Sequence, residues 1–188
     1  MGAEMTPDDD FGAARLLSRL HLLLQAATAS PRDPEVLELA LIQAVAATGA
    51  DSAVLGTLRR RDILDVRLLA GTGGPMHEVG ALHVGSRYPL TDAIVQEKPV
   101  WLSSPPEIRS SYPTAGGLWG RAFAALPLMV RQVPVGAIGV IHDAAGHYHT
   151  GVERVFLSTV ADVCATIVSV SPDHRWPMEV GHEPYSSG

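Results

Sequence analysis

Cysteine is nearly absent from this chain. Cys164 stands alone, so no internal disulfide and no thiolate metal cage can form. Lysine is as scarce, with Lys98 as its one representative, and the formal net charge is −6. A chain of that sign is a poor partner for a polyanion, which disfavours a general nucleic-acid role. The one basic run, Arg59-Arg60-Arg61, is followed by Asp62 between two strand-like segments and reads as a solvated hairpin tip. The N-terminus, MGAEMTPDDDFG, lacks the basic-then-apolar order of a secretory signal, so a cytoplasmic location is expected. What the chain does have is apolar bulk: 46% hydrophobic against 18% charged residues over 188 positions, enough to bury the core of a single domain.

The longest apolar run, AFAALPLMVRQVPVGAIGVI at 122–141, contains only two polar residues, Arg131 and Gln132. Its length meets that of a membrane helix. The polar pair at the midpoint, Pro127 and Pro134, and the Val/Ile/Gly content of the second half all oppose a helix. Two buried neighbouring strands joined by a tight polar turn fit better. Neither run alternates cleanly, so both faces of this hairpin are expected to be covered, with each proline at a strand end, a bulge or a gap in the ladder.

The remaining segments fall around that hairpin. Leu16, Leu17, Leu20, Leu23, Leu24 and Ala27 recur at helical spacing. Asp33-Pro34 is an N-cap followed by proline at the first helical position, opening a second helix with the stripe Val36, Leu37, Ala40, Leu41 and Val45, and Gly49 sits at its C-cap. Ser52–Leu58 and Ile63–Ala70 form a first hairpin ended by GTGGP, which lacks the residues of a phosphate loop and reads as a turn. A short helical turn is expected over Met76–Leu82, a short helix over Leu90–Glu97 and a brief strand over Val100–Leu102. The Ser/Pro/Gly-rich stretch 103–120 is expected to be an ordered loop or lid. Thr150-Gly-Val-Glu153 is a capping box that opens a terminal helix with the stripe Val152, Val155, Phe156, Thr159, Val160, Val163, Ile167 and Val170.

The order helix, helix, hairpin, irregular lobe, hairpin, helix implies an α+β fold. An antiparallel sheet would carry the first, second and last helices on one face and the lobe of loops and short helices on the other. A half-roofed sheet leaves a concave space suited to a small ligand. Residues 1–13 are expected to be an extension, 14–170 the domain and 171–188 a loose tail.

Three segments, YPLTDAIVQEKPVWL, AALPLMVRQVPVGAIGVIH and HYHTGVERVFLSTVADVCATIV, resemble a GAF domain, the PAS-like small-molecule sensor module of signalling proteins. The resemblance lies in the pairing of Ala125-Leu126-Pro127-Leu128 with Gly136-Ala137-Ile138-Gly139, and in Tyr148 ahead of the capped helix. It is strongest to the GAF domains that accompany bacterial serine phosphatases and histidine kinases. It implies a five- or six-stranded antiparallel sheet, a lidded pocket, and a homodimer through the terminal helices, with a separate kinase, phosphatase or regulator as possible partner. It supplies no ligand. The Asn-Lys…Phe…Asp-Glu signature of cyclic-nucleotide binders is missing, and Cys164 lies on the terminal helix rather than where a bilin would attach. The reductases of this fold need several cysteines. A regulatory rather than an enzymatic role follows.

Five of the aromatics, Tyr88, Trp101, Tyr112, Trp119 and Phe123, fall in or beside the lobe and would give an unidentified planar or amphipathic ligand its walls. They would equally serve as the lobe's own small core. Arg87, Asp92, Arg109 and Arg121 share the region, and Arg121, next to apolar strand residues, is the best candidate to meet an anionic group. Asp92 is also a candidate partner for these arginines. His142, His147 and His149 crowd after the last strand. A solvated connector is the expectation there, with a divalent-metal site as the alternative. The rival to a sensor is a ligand-free interaction domain in which Leu16, Leu20, Leu23 and Leu24 dock another chain.

Overall fold

The computed structural model describes residues 7–71, 76–113, 122–143 and 146–170. The expected tail at 171–188 lies outside the described residues, as do positions 1–6 of the expected extension. Within them run α1 (Pro7–Ala29), α2 (Pro34–Thr48), β1 (Ser52–Arg60), β2 (Ile63–Ala70), β3 (Met76–His83), α3 (Pro89–Gln96), β4 (Val100–Leu102), α4 (Pro105–Ser111), β5 (Ala122–Val130), β6 (Val133–His142) and α5 (Gly151–Val170). Every strand pairing is antiparallel, in the order β3-β2-β1-β6-β5-β4.

The 122–141 run is the β5–β6 hairpin, with Val130 opposite Val133. Arg131 and Gln132 form its two-residue turn, both in left-handed backbone (φ 49° and 64°), which matches the twist of the flanking strands. Pro127 lies past Ala125, the last β5 residue paired with β4, and Pro134 lies at the register shift after Leu128, beyond the end of the β1 pairing. Both prolines therefore avoid the places where a ladder needs two neighbours. No helix among the described residues is long and apolar enough to cross a membrane.

Parity along β5 and β6 sorts the core. Ala124, Leu126, Leu128, Ile138 and Val140 face α1, α2 and α5 and join Leu23, Leu37, Leu41, Phe156, Leu157 and Val160 in one cluster. Phe123, Ala125, Ala137 and Ile141 face the other way, under Leu90, Ala93 and Ile94 of α3 and Ile108 of α4. With both faces covered, Gly136 to His142 of β6 are buried without interruption, whereas β3 at the sheet edge buries only Met76 and leaves six of its eight residues exposed. Gly136 lies tight against β1: a Cβ there would stand 2.2 Å from the Gly56 carbonyl oxygen. At Gly139 it would meet the Phe123 ring at 2.7 Å, so the missing side chain is the seat of that ring.

The caps follow the sequence. Asp33 Oδ1 accepts from the Glu35 N–H at 2.9 Å, and Gly49 ends α2 at φ 65°. The Thr150 hydroxyl accepts from the Glu153 N–H at 3.2 Å while Glu153 Oε2 accepts from the Thr150 N–H at 2.7 Å.

Three expectations need correction. Met76–Leu82 is not a helical turn but part of strand β3: Met76, Val79 and Leu82 are spaced as on a helix, yet pairing with β2 fixes the segment as an edge. The 103–120 stretch is not all loop, because Ser104 caps α4 and Pro105 sits in its first turn. On α1, Leu23 is buried and Leu16 and Leu20 pack on the helix-side core, so these three face inward; Leu17, Leu22 and Leu24 face outward.

Candidate functional site

Two constellations stand out, one on each face of the sheet. On the lobe face, Tyr88 caps α3 and packs on the buried cluster, with its N–H donating to Thr91 Oγ1 at 3.1 Å. The Thr91 hydroxyl in turn donates to the Ser86 carbonyl, tying down the entry to the helix. One turn along α3, Asp92 accepts a hydrogen bond from the Tyr112 hydroxyl, Oη to Oδ2 3.0 Å, so the end of α4 is latched to α3. Tyr112 is 4% exposed, and burial first, then the hydrogen bond to Asp92, push its phenol well above the usual range; Arg87 nearby acts in the opposite sense. The phenol is a permanent donor at neutral pH. Below this latch the floor is Phe123, Ala125, Ala137 and Ile141, with the two large residues, Phe123 and Ile141, paired across the strands at one end. Arg87 and Arg109 are exposed.

Of the sequence candidates, Tyr88, Asp92, Tyr112 and Phe123 meet on this face. Trp119 and Arg121 lie outside the described residues. Trp101 goes elsewhere. It pairs with Ala124, shares that residue's parity, and packs against the helix-side core. Its neighbours are His149, with ring centroids 5.2 Å apart, and the Arg154 guanidinium, 4.8 Å from its centroid.

The second constellation begins there. His142 continues the inward row of Ile138 and Val140 and is 2% exposed, and His149 is 5% exposed. The connector is thus not solvated at these two positions. Their Nε2 atoms are 3.3 Å apart. His147 stacks on His142 at 3.8 Å between centroids, inclined by 12°, and meets His149 edge-on at 4.6 Å. Burial, then the neighbouring His147, hold His142 down at about 4; the same two causes, with His142 and Arg154 added, hold His149 at about 3. Both rings are neutral at pH 7. Arg154 Nε donates to the His149 carbonyl at 3.1 Å, and a backbone hydrogen bond at Gly49 fixes His142. Two contributors escaped the sequence reading: Arg154, and Glu153 as more than a cap. The burial was signalled by parity, since His142 stands two residues after Val140. Cys164 is fully buried in the helix-side core, and burial pushes its thiol up to about 12, as suits an inert apolar filler.

The sequence pattern of the GAF domain matches residues 32–169. Among curated proteins none matches the chain. Several solved structures do. The GAF domain of an Acinetobacter phosphoenolpyruvate-protein phosphotransferase is 18% identical, with a TM-score of 0.65 over 82% of this chain and 93% of that one. The GAF domain of a Coxiella burnetii phosphoenolpyruvate-protein phosphotransferase is also 18% identical, with a TM-score of 0.67 over 84% and 94%. Free methionine-R-sulfoxide reductase from Neisseria meningitidis, solved in complex with its substrate, is 16% identical, with a TM-score of 0.64 over 90% and 95%. At these identities the likeness is one of fold.

Proposed function

This chain belongs to the GAF domain family, whose members serve sensory and regulatory roles, and we propose that it binds a small planar or amphipathic molecule between α3, α4 and the β5–β6 floor. The Asp92–Tyr112 latch carries this reading. A half-buried hydrogen bond between two short helices, over a floor of Ala125 and Ala137, makes a roof that can open by breaking one polar contact. A ligand that offers its own donor or acceptor would exchange with that contact at little net loss, since a hydrogen bond within a protein contributes only about 1 kcal/mol net. Tyr88 and Phe123 supply aromatic walls, and Trp119 and Arg121 complete the proposed set; Trp101 is not among its lining residues. The role is regulatory rather than catalytic.

The output would pass through the terminal helices. Leu17 and Leu24 on α1 and Val155 on α5 leave 66%, 47% and 67% of their surface uncovered, which favours a homodimer formed by a second copy of this chain. A kinase, phosphatase or other regulator would then read the dimer, in the cytoplasm.

A thermal-shift screen of the 188-residue chain against aromatic carboxylates and other planar metabolites tests the ligand. At least one compound should raise the melting temperature of the wild type, and raise it less in Tyr112→Phe or Asp92→Asn. If none does, and extracts of the purified protein hold no small molecule by mass spectrometry, the chain is an interaction domain with a filled lobe. Sedimentation of Leu17→Glu and Val155→Glu beside wild type tests the dimer.

A further inference from the structure

The histidine cluster has no part in the proposed ligand site: His142 and His149 lie on the opposite face of the sheet, at the junction of β6 with α5. We propose that His142, His147 and His149, with Glu153 as a fourth donor, form a binding site for a divalent transition-metal cation of the zinc class. One ligand atom from each histidine lies within 4.8 Å of the other two. His142 Nε2 and His149 Nε2 are already 3.3 Å apart. That is the edge of a tetrahedron around zinc, since bonds of about 2.0–2.1 Å put two nitrogens about 3.4 Å apart. His147 Nε2 is buried and has no hydrogen-bond partner, and Glu153 Oε1 stands 3.9 Å from it, too far for a hydrogen bond but within reach of a shared ion.

The surroundings suit this chemistry. Imidazole is a borderline donor that suits zinc and its first-row neighbours, and a carboxylate oxygen is an accepted further ligand for zinc. A backbone hydrogen bond at Gly49 fixes the His142 ring, the outer support that metal-ligating histidines use, and Arg154 holds the His149 main chain. Glu153 Oε2 is already committed to the Thr150 N–H, which leaves Oε1 for the ion. One adjustment is needed. Stacked rings cannot both aim a lone pair at one point, so His147 must turn out of its stack with His142. It is the ring placed to do so, being only partly buried and in neither strand nor helix. The bound ion would join the end of β6 to the first turn of α5, the helix proposed to carry the signal.

The test uses the untagged chain, stripped with a chelator and titrated with Zn2+ by calorimetry, with Co2+ absorption as the readout of four-coordinate geometry. One Zn2+ per chain is expected, together with a higher melting temperature. His147→Ala should weaken Zn2+ binding by about 100-fold or more, beyond the loss typical of an outer-shell contact. The metal-free melting temperature of that variant should stay close to wild type, while His147→Cys, which restores a ligand, should recover most of the affinity. Replacing His77 and His83, on β3 and far along the chain, should leave binding unchanged. Failure of the wild type to bind Zn2+, or His147→Ala binding as tightly as wild type, overturns the proposal. Neither result bears on the α3–α4 site.

Discussion

The two faces of the sheet are built from different materials. The helix face is aliphatic and wide: Leu37, Leu41, Phe156, Leu157, Val160 and Ile167 of α2 and α5 close over Leu126, Leu128 and Ile138. The lobe face is narrower, roofed by helices of eight and seven residues and latched by one Tyr–Asp hydrogen bond. Short helices are marginal by themselves and hold only through packing. In the proposed function the same strands present one face as permanent architecture and the other as a cover that can be lifted, an asymmetry suited to a sensory module.

Substitution at the seam common to both faces should have the largest effect. Gly136→Ala forces a Cβ to within 2.2 Å of the Gly56 carbonyl oxygen, so the β1–β6 pairing must part. A loss of about 3 kcal/mol or more is expected by chemical denaturation, the upper range for overpacking. Gly151→Ala, where a Cβ meets nothing within 4 Å, should cost far less and serves as the control. Next comes the helix face: Leu157→Ala, at a fully buried position, should cost about 2–5 kcal/mol and lower the global unfolding midpoint.

The edge of that face should respond to pH. His142 and His149, held at about 4 and about 3 in the fold, return to an ordinary value near 6.5 on unfolding. Between these limits the unfolded chain binds more protons, so the contribution of these two rings falls as pH drops from about 6.5 to about 3 and is fully present above 7. His147, Asp51, Glu153 and Arg154 face these rings and set the detail. Melting curves in chelator should fall by several degrees over that window, and by less in His142→Gln. The smallest effect belongs to the lobe. Tyr112→Phe should cost about 1 kcal/mol, the worth of one hydrogen bond whose partner Asp92 is only half buried.

Legibility followed the same division. The hairpin and the caps were readable because each has a local cause: the polar pair Arg131-Gln132 between apolar runs, Asp33 before Pro34, and Thr150 with Glu153. The helical stripes were readable only in part, since Leu17 and Leu24 of α1 and Val152, Val155 and Val170 of α5 are exposed. The face that Trp101 takes is not legible in the sequence because β4 has three residues, and only its register against Ala124 decides which way each one points. β3 reads as a short helical turn in the sequence because an edge strand buries too little to show a period of two. At the candidate sites, Asp92 and Tyr112 lie 20 positions apart and meet only through the packing of α3 and α4. The burial of His142 was within reach, since it continues the row of Ile138 and Val140, but the closure of His149 over it is tertiary.

Amide hydrogen exchange on the chain alone, resolved by residue, tests this asymmetry most directly. Amides of α3 and α4 should exchange through an opening well below the global unfolding free energy, and faster still in Tyr112→Phe, while those of α2, α5 and β6 open only with the whole domain. Equal protection on the two sides of the sheet would mean that the lobe is as fixed as the helices, and the account of a liftable cover would be wrong.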